Sequence, residues 1–214
     1  GLNRSWADLR TAHERGGNSP PAGTDDVAFL LALVDRYVAA GIADPHRVYV
    51  TGVSNGGAMT MTLACQHPER IAAAASVVME FTPTVAAACH PARPVPMLMM
   101  NGTADPLIPY AGGRFHDRRA GADYLSTIDT LAFWRRANAC DAADAKSVAL
   151  SDGDRSDRSS VTRIESHCPA GAEVLLYRID GGGHRMPDRI ADAKHPRLVD
   201  ALLGVQNRDI DAPE

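Results

Sequence analysis

The chain has 214 residues, of which 45% are hydrophobic and 22% are charged. This length and composition are typical of one globular domain with a substantial core, and they exclude an intrinsically disordered chain. The formal net charge of -4 offers no basic surplus for nucleic acid or an anionic membrane, and the longest nearly apolar run, residues 71–79, is too short to span a bilayer. We therefore predict a single domain over residues 1–214 with no nucleic-acid partner and no membrane span.

Strand and helix signals alternate along the chain, which predicts an α/β fold with a mainly parallel sheet and flanking helices. Residues 1–23 predict a loop, and Thr24 is a favourable N-cap for a helix that Gly41 ends. The further predicted elements are strands at 48–53, 71–78, 95–100, 161–166 and 174–179, and helices that end near His67, follow Ser126 and span 196–203. Residues 80–94 and 106–123 predict irregular structure, residues 151–160 an exposed loop, and residues 204–214 a mobile tail.

The most informative stretch is residues 48–61, which reads VYVTGVSNGGAMTM. An apolar, β-branched run suited to a buried strand is followed by small residues suited to a closely packed helix. Between them Gly52, Ser54 and Gly56 form a G-x-S-x-G sequence, and this strand–turn–helix context is typical of a serine nucleophile. We expect that positions 52 and 56 require glycine, because Cβ atoms there would collide across so sharp a turn. A Gly/Ser loop without chemistry is the alternative interpretation of the pentapeptide.

A serine hydroxyl needs a general base, and the base needs an acid to orient it. His184 is the best-placed histidine, because it follows a predicted strand and three glycines late in the chain. Asp105 follows the third predicted strand and lies between serine and histidine, in the chain order that α/β-hydrolases use. Asp180 competes for the role of the acid, and we expect it to support the His184 loop instead. The backbone N–H of Asn55 is the predicted oxyanion donor, and this chemistry requires neither a metal nor an organic cofactor.

The four cysteines are Cys65, Cys89, Cys140 and Cys168. Their even number fits disulfides in an oxidising compartment, and it also fits four buried thiols. Cys140 ends a predicted helix and Cys168 a predicted strand, so a bond between them would close the excursion at 151–160. We predict this pair, and with less support the pair Cys65 and Cys89.

Four motifs resemble the polyhydroxybutyrate depolymerase and feruloyl esterase family of secreted serine esterases. They are TGVSNGGAMT, PVPMLMMNGTADPLIPYAGG, FWRRANAC and LLYRIDGGGHRMP, and they cover most of the chain in order. The resemblance implies the triad Ser54, Asp105 and His184, a small or oligomeric ester as substrate, and export from a bacterial cell. The chain departs from the family at Arg185-Met186, where Thr-Trp is usual, and at Asn101, where a histidine is common.

A serine peptidase or thioesterase with the same triad, and a catalytically silent binding module, are the alternative functions. No strand is predicted before residue 48, although an α/β-hydrolase normally builds several strands before its nucleophile. We therefore expect the chain to be the C-terminal part of its domain, with the second oxyanion donor upstream and one flank of the nucleophile strand unpaired.

Overall fold

The computed structural model describes residues 5–10, 20–114, 123–190 and 196–211. Its main sheet contains β1 (Tyr49–Val53), β2 (Ala73–Val77), β3 (Met97–Gly102), β6 (Asp141–Ala149), β7 (Ser160–His167) and β8 (Val174–Asp180), and a second sheet pairs β4 (Gly113–Arg114) with β5 (Asp123–Tyr124). The order in the main sheet is β1-β2-β3-β8-β7-β6. The pairs β1–β2, β2–β3 and β3–β8 are parallel, whereas β7 and β6 run antiparallel to their neighbours. The carboxyl ends of β1, β3 and β8 therefore meet at one edge of the sheet.

The helices are α1 (Asp26–Ala39), α2 (Asn55–Gln66), α3 (Pro83–Ala88), α4 (Thr127–Ala137) and α5 (Pro196–Leu203). The N-cap of α1 is Asp25, one residue later than predicted, because its carboxylate accepts a hydrogen bond from the N–H of Ala28. The N-cap of α4 is Ser126, as the sequence indicates.

Helix α2 lies in the core of the molecule. Nine consecutive residues of this helix, from Gly57 to Cys65, are buried. A helix buried on all sides needs no polar face, which explains why this segment contains only small and apolar residues and two threonines. On the same side of the sheet, Phe81, Phe133 and Trp134 pack as an aromatic group with ring centroids 4.9 to 5.6 Å apart.

Two elements differ from the sequence-based prediction. Residues 80–94 are not wholly irregular, because Thr82 caps α3 and Pro83 occupies the first helical turn, where proline is tolerated. Strand β6 carries no apolar alternation in sequence, since it is an exposed strand at the edge of the sheet and pairs only with β7 among the described residues.

The predicted exposed loop and mobile tail instead pack against each other. Asp157, Ser159 and Asn207 are buried, with exposed fractions of 6%, 5% and 2%. The Asn207 side-chain amide donates to Ser159 Oγ over 2.8 Å, and the N–H of Arg208 donates to Asp157 Oδ2 over 2.8 Å. These contacts were not predicted, because the partners lie about fifty positions away and leave no local pattern in the sequence. Residues 212–214 of the predicted tail lie outside the described residues.

Both cysteine pairs are disulfides. Cys140 is bonded to Cys168 across the ends of β6 and β7, as predicted, and Cys65 is bonded to Cys89 between the last turn of α2 and the residue after α3. The sequence separation is 28 for Cys140 and Cys168 and 24 for Cys65 and Cys89.

Strand β1 lies at the edge of the main sheet and pairs only with β2 among the described residues. Its side chains Tyr49 and Val53 are exposed by 65% and 37%. The expected unpaired flank is thus present in the part of the chain that the structure describes. Within that same part, no helix combines the length and apolarity that a membrane crossing requires.

Candidate active site

Ser54 lies on the sharp turn between β1 and α2. Its backbone has φ 55° and ψ -119°, a conformation that a non-glycine residue rarely adopts. The Ser54 N–H donates to the carbonyl of Val77 over 2.9 Å, and the Ser54 carbonyl accepts the first hydrogen bond of α2 from Ala58. The turn is therefore held from both sides, and it presents the serine at the amino end of a helix, where the N–H groups favour negative charge.

The glycines of this turn have different roles. A Cβ at Gly52 would lie 2.3 Å from the backbone of Gly56, so Gly52 is required by the turn, as predicted. A Cβ at Gly56 would meet no heavy atom within 4 Å among the described residues outside its chain neighbours and its own helix, so the steric prediction for Gly56 was wrong. Gly57 instead allows the close approach of α2 to the sheet, because a Cβ there would lie 2.9 Å from Met79 Cβ and Ser76 Oγ.

The loops that carry Asp105 and His184 are joined directly to each other. The N–H of Ala104 donates to the carbonyl of Gly182 over 2.9 Å, and the N–H of Gly181 donates to Thr103 Oγ1 over 2.9 Å. A Cβ at Gly102 would lie 2.2 Å from the Gly182 oxygen, so glycine at this position permits the approach. The acid loop and the histidine loop thus form one unit at the carboxyl ends of β3 and β8.

The tail beyond α5 supports the histidine from its other side. The N–H of His184 donates to the carbonyl of Leu203 over 2.6 Å, and the N–H of Gly183 donates to the carbonyl of Val205 over 2.8 Å. The next residue, Arg185, has only 6% of its surface exposed, pairs with Asp200 in α5 and donates to Gln206 Oε1 over 2.9 Å. These contacts leave the His184 backbone little freedom to move.

The structure brings Ser54, His184 and Asp105 together. His184 Nε2 lies 2.8 Å from Ser54 Oγ, and His184 Nδ1 lies 2.7 Å from Asp105 Oδ2. The side chains of His184 and Asp105 are 7% and 3% exposed, so their interaction is shielded from water. The second carboxylate oxygen of Asp105 accepts hydrogen bonds from the N–H groups of Leu107 and Ile108 at 2.8 and 2.9 Å, which fixes the orientation of the carboxylate.

The competing acid, Asp180, is bound elsewhere. Its carboxylate accepts from Arg178 Nε and Nη2 over 3.2 and 3.0 Å. Asp180 therefore ends β8 in an ion pair, and the structure places Asp105 against the imidazole.

Asn55 is the first residue of α2, and the first N–H groups of a helix have no acceptor within the helix. This position makes its N–H available to a developing oxyanion beside Ser54. Its side chain is fixed by residues 5–10, a contact that the sequence did not predict. No pattern in the sequence signals it, because the partners Trp6 and Asp8 are 49 and 47 positions away.

Glu80 is a second feature that sequence reasoning missed. It follows β2, is 1% exposed and accepts a hydrogen bond from Thr127 Oγ1. Burial raises the pKa of Glu80 to about 8, the hydrogen bonds from Thr127 and Thr130 oppose this rise, and the charge of Asp105 adds to it. A protonated Glu80 carboxyl group avoids the cost of a buried negative charge. Among the described residues, no group of three or more His, Cys, Asp or Glu side chains has an arrangement that could hold a metal ion.

Comparison with known proteins shows that the chain is similar to esterases. The chain is 32% identical over 189 residues to the putative esterase NocK of Nocardia uniformis subsp. tsuyamanensis, which covers 80% of this chain and 54% of that protein. It is 28% identical over 167 residues to feruloyl esterase B of Piromyces equi, which covers 77% of this chain and 30% of that protein. It is also 45% identical over 53 residues to the poly(3-hydroxybutyrate) depolymerase of Ralstonia pickettii, which covers 24% of this chain and 11% of that protein.

The chain has the α/β-hydrolase fold. The strand order and the serine turn agree with this assignment, and the relatives confirm the resemblance that the motifs indicated. The chain spans about half the length of the first relative and under a third of the second. The profile of the prolyl oligopeptidase family matches residues 17–88, which include the serine turn but neither Asp105 nor His184.

Proposed function

We propose that the chain hydrolyses carboxylic esters through an acyl-enzyme on Ser54. The observation that carries the proposal is the continuous hydrogen-bonded row from Ser54 Oγ through both ring nitrogens of His184 to Asp105, with distances of 2.8 and 2.7 Å. A serine hydroxyl is a weak nucleophile until a neighbouring base accepts its proton, and this row supplies that base in a buried setting.

The mechanism has two acyl-transfer steps. Ser54 Oγ attacks the ester carbonyl while His184 Nε2 takes the hydroxyl proton, and Asp105 stabilises the imidazolium through Nδ1. The tetrahedral intermediate collapses, the bond to the alcohol oxygen breaks, and His184 returns the proton to the leaving alcohol. Water then attacks the acyl-enzyme with the same proton transfers, which releases the acid and restores Ser54.

The Asn55 N–H is the proposed donor to the oxyanion of both intermediates. A donor of this type typically contributes about 3 kcal/mol to stabilisation of the transition state. A second donor is expected from a segment before the described sheet, because α/β-hydrolases take it from a loop after an earlier strand.

The proposed substrates are soluble short-chain, hydroxyalkanoate or feruloyl esters. The names of the relatives support this range, and aromatic residues make up only 5% of the chain, which does not favour a broad platform for a polymer surface. The two disulfides support export to an oxidising compartment, either outside the cell or in the periplasm of a bacterium.

A serine peptidase is the second candidate, and the match of residues 17–88 to the prolyl oligopeptidase family is the observation that favours it. The match includes the serine turn that esterases and peptidases share, so it supports Ser54 as the nucleophile and leaves the acyl substrate open.

The test uses a fluorophosphonate probe, nitrophenyl esters and the matching nitroanilides. We expect the probe to label Ser54 and the chain to hydrolyse the esters, and we expect Ser54→Ala to lose both. Hydrolysis of the anilides at comparable rates would favour a peptidase, and absence of labelling would show a silent binding module.

A further inference from the structure

Residues 5–10, called here the strap, are fixed against the helices that surround the candidate active site. The N–H of Leu9 donates to Thr62 Oγ1 in α2 over 3.0 Å, and the N–H of Ala7 donates to Asp26 Oδ2 in α1 over 2.8 Å. The side chain of Leu9 is buried in the main core. The backbone of the strap is therefore held at several points along its short length.

A buried ion pair also anchors the strap. Asp8 is 4% exposed and accepts from Arg10 Nε and Nη2 over 3.0 and 2.6 Å, while Arg10 Nη1 donates to the hydroxyl of Tyr124 in β5 over 2.9 Å. Burial alone would lower the pKa of Arg10, but the hydrogen bonds and charge of Asp8 outweigh burial and raise it. Asp8, Arg10 and Tyr124 thus form a connected set of hydrogen bonds that anchors this end of the strap.

The strap passes directly beside the residue that follows the nucleophile. The N–H of Trp6 donates to Asn55 Oδ1 over 2.7 Å, and Asn55 Nδ2 donates to Asp8 Oδ2 over 2.8 Å. Both polar ends of the Asn55 side chain are thus bound by the strap. The Cα of Trp6 is consequently held close to the amino end of α2 and to Ser54.

Trp6 is 37% exposed, whereas its strap neighbours Asp8 and Leu9 are buried, and Trp134 is fully buried in the core. Because the N–H of Trp6 is bonded to Asn55 and the strap residues after Trp6 are anchored, the Cα that carries this indole is held beside the nucleophile turn without burial of the ring. A flat, rigid aromatic surface held near a reacting centre binds apolar groups with little loss of conformational entropy.

We propose that Trp6 is a specificity-determining residue that packs against the aromatic or bulky apolar acyl group of an ester bound at Ser54. The proposal rests on the proposed ester hydrolysis and narrows its substrates to esters of aromatic or bulky apolar acids. Because the hydrogen bond to Asn55 comes from the backbone of Trp6, replacing the indole leaves the anchor of the oxyanion donor in place.

The experiment measures binding in the absence of turnover. Methyl ferulate and methyl butyrate are titrated by calorimetry into the 214-residue chain carrying Ser54→Ala, and into the same chain carrying additionally Trp6→Ala, Trp6→Phe or Phe29→Ala. Phe29 is the matched control, since it is an aromatic residue in α1 with 57% exposure. We expect Trp6→Ala to weaken methyl ferulate binding about tenfold, Trp6→Phe to restore most of it, and Phe29→Ala to have no effect.

Binding of methyl butyrate distinguishes a role of Trp6 in acyl-group binding from a general structural role of Trp6. We expect Trp6→Ala to leave the affinity for methyl butyrate unchanged. Equal weakening of the binding of both esters would show that Trp6 only supports the strap, and it would overturn the proposal. Two other results would also overturn it: methyl ferulate binding that Trp6→Ala does not change, and no methyl ferulate binding to the Ser54→Ala chain. Because binding does not require the acyl-enzyme, a failure of the fluorophosphonate test would leave this result interpretable on its own.

Discussion

Asp105 divides its two carboxylate oxygens between two tasks. Oδ1 accepts the N–H groups of Leu107 and Ile108, and Oδ2 faces His184 Nδ1 at 2.7 Å. The first contact fixes the orientation of the carboxylate, so the second can fix the tautomer of the imidazole. These separate contacts of the two oxygens give a direct prediction for the isosteric variant Asp105→Asn.

In Asp105→Asn the side-chain oxygen will stay with the two N–H groups, and the NH₂ group will face His184 Nδ1. That nitrogen must then accept, so Nε2 carries the proton and cannot take one from Ser54. We expect the fold and thermal midpoint to be nearly unchanged and kcat to fall about 10⁴-fold. Steady-state kinetics with a nitrophenyl ester will measure this, and a loss below tenfold would contradict the assigned role of Asp105.

Glu80 predicts a dependence of stability on pH. Its pKa is ordinary in the unfolded chain and about 8 in the folded protein, where burial disfavours the charged form. The folded state therefore keeps a proton that the unfolded state loses, and the free energy of unfolding falls as pH rises from about 4.5 to about 8. Below this pH window the contribution of Glu80 to the free energy of unfolding is fully present, and above the window this contribution is lost.

We expect Glu80→Gln to remove this slope, because glutamine accepts the same hydrogen bond from Thr127 and carries no proton to lose. Urea unfolding at pH 5 and pH 8 should show similar stability for both proteins at pH 5 and a more stable variant at pH 8. Glu69→Gln, at a side chain that is 59% exposed, is the control and should follow the parent protein. Parallel pH curves for Glu80→Gln and the parent would contradict the prediction.

At the scale of elements, the position of the loop between β8 and α5 depends on its contact with the end of α5 and the residues that follow. A Cβ at Gly183 would lie 2.2 Å from the carbonyl oxygen of Leu203, which is the acceptor for the His184 N–H. The alanine variant must therefore push His184 away from its present position. A displacement of about 1 Å at a catalytic group can cost about 10²-fold in rate.

We accordingly expect Gly183→Ala to lower kcat about 10²-fold while the chain remains folded. Gly153→Ala is the matched control, because a Cβ there would have only Asp209 Oδ1 nearby, at 3.8 Å. Ester hydrolysis and circular dichroism will separate the two effects. Full activity in Gly183→Ala would show that the histidine loop adapts and that the tail does not position it.

The disulfide between Cys140 and Cys168 closes a segment, with a sequence separation of 28, that contains the whole of β6 and β7. Removing it with Cys140→Ala and Cys168→Ala should lower the free energy of unfolding by roughly 3–4 kcal/mol, because the unfolded chain gains conformational freedom. Denaturant unfolding will test this, with the Cys65→Ala and Cys89→Ala pair as the comparison, since its 24-residue separation predicts a similar loss. An unchanged midpoint would mean that neither bond constrains the unfolded chain.

At the scale of the whole molecule, β1 presents an edge to solvent in the described structure, with Tyr49 and Val53 exposed. Unpaired, apolar edge strands template association with other chains. We expect the purified chain to self-associate as its concentration rises and Tyr49→Lys to reduce this. Ile128→Lys, at an exposed position in α4, is the control, and equal effects of both variants in sedimentation velocity would show that β1 is not the contact.

The sequence by itself determined the local elements and the chemical types of the site. The apolar run before Gly52-Val53-Ser54 predicted β1 and the turn, and the positions of Asp105 and His184 after predicted strands placed both at the carboxyl edge of a parallel sheet. Such inferences succeed because a buried parallel strand and its exit loop leave a continuous signal in neighbouring residues. The pairing of Cys140 with Cys168 was predictable for the same reason, since each ends a recognisable element.

The tertiary structure alone decided which distant segments support those residues. Asn55 is bound by Trp6 and Asp8, His184 is held by the end of α5, and Glu80 is buried against Thr127. Each of these contacts joins residues that belong to separate local patterns, so no periodicity or motif encodes it. The contacts of the predicted tail were missed on this ground, because polar residues such as Asn207 signal exposure until a partner such as Ser159 satisfies their hydrogen bonds in the fold.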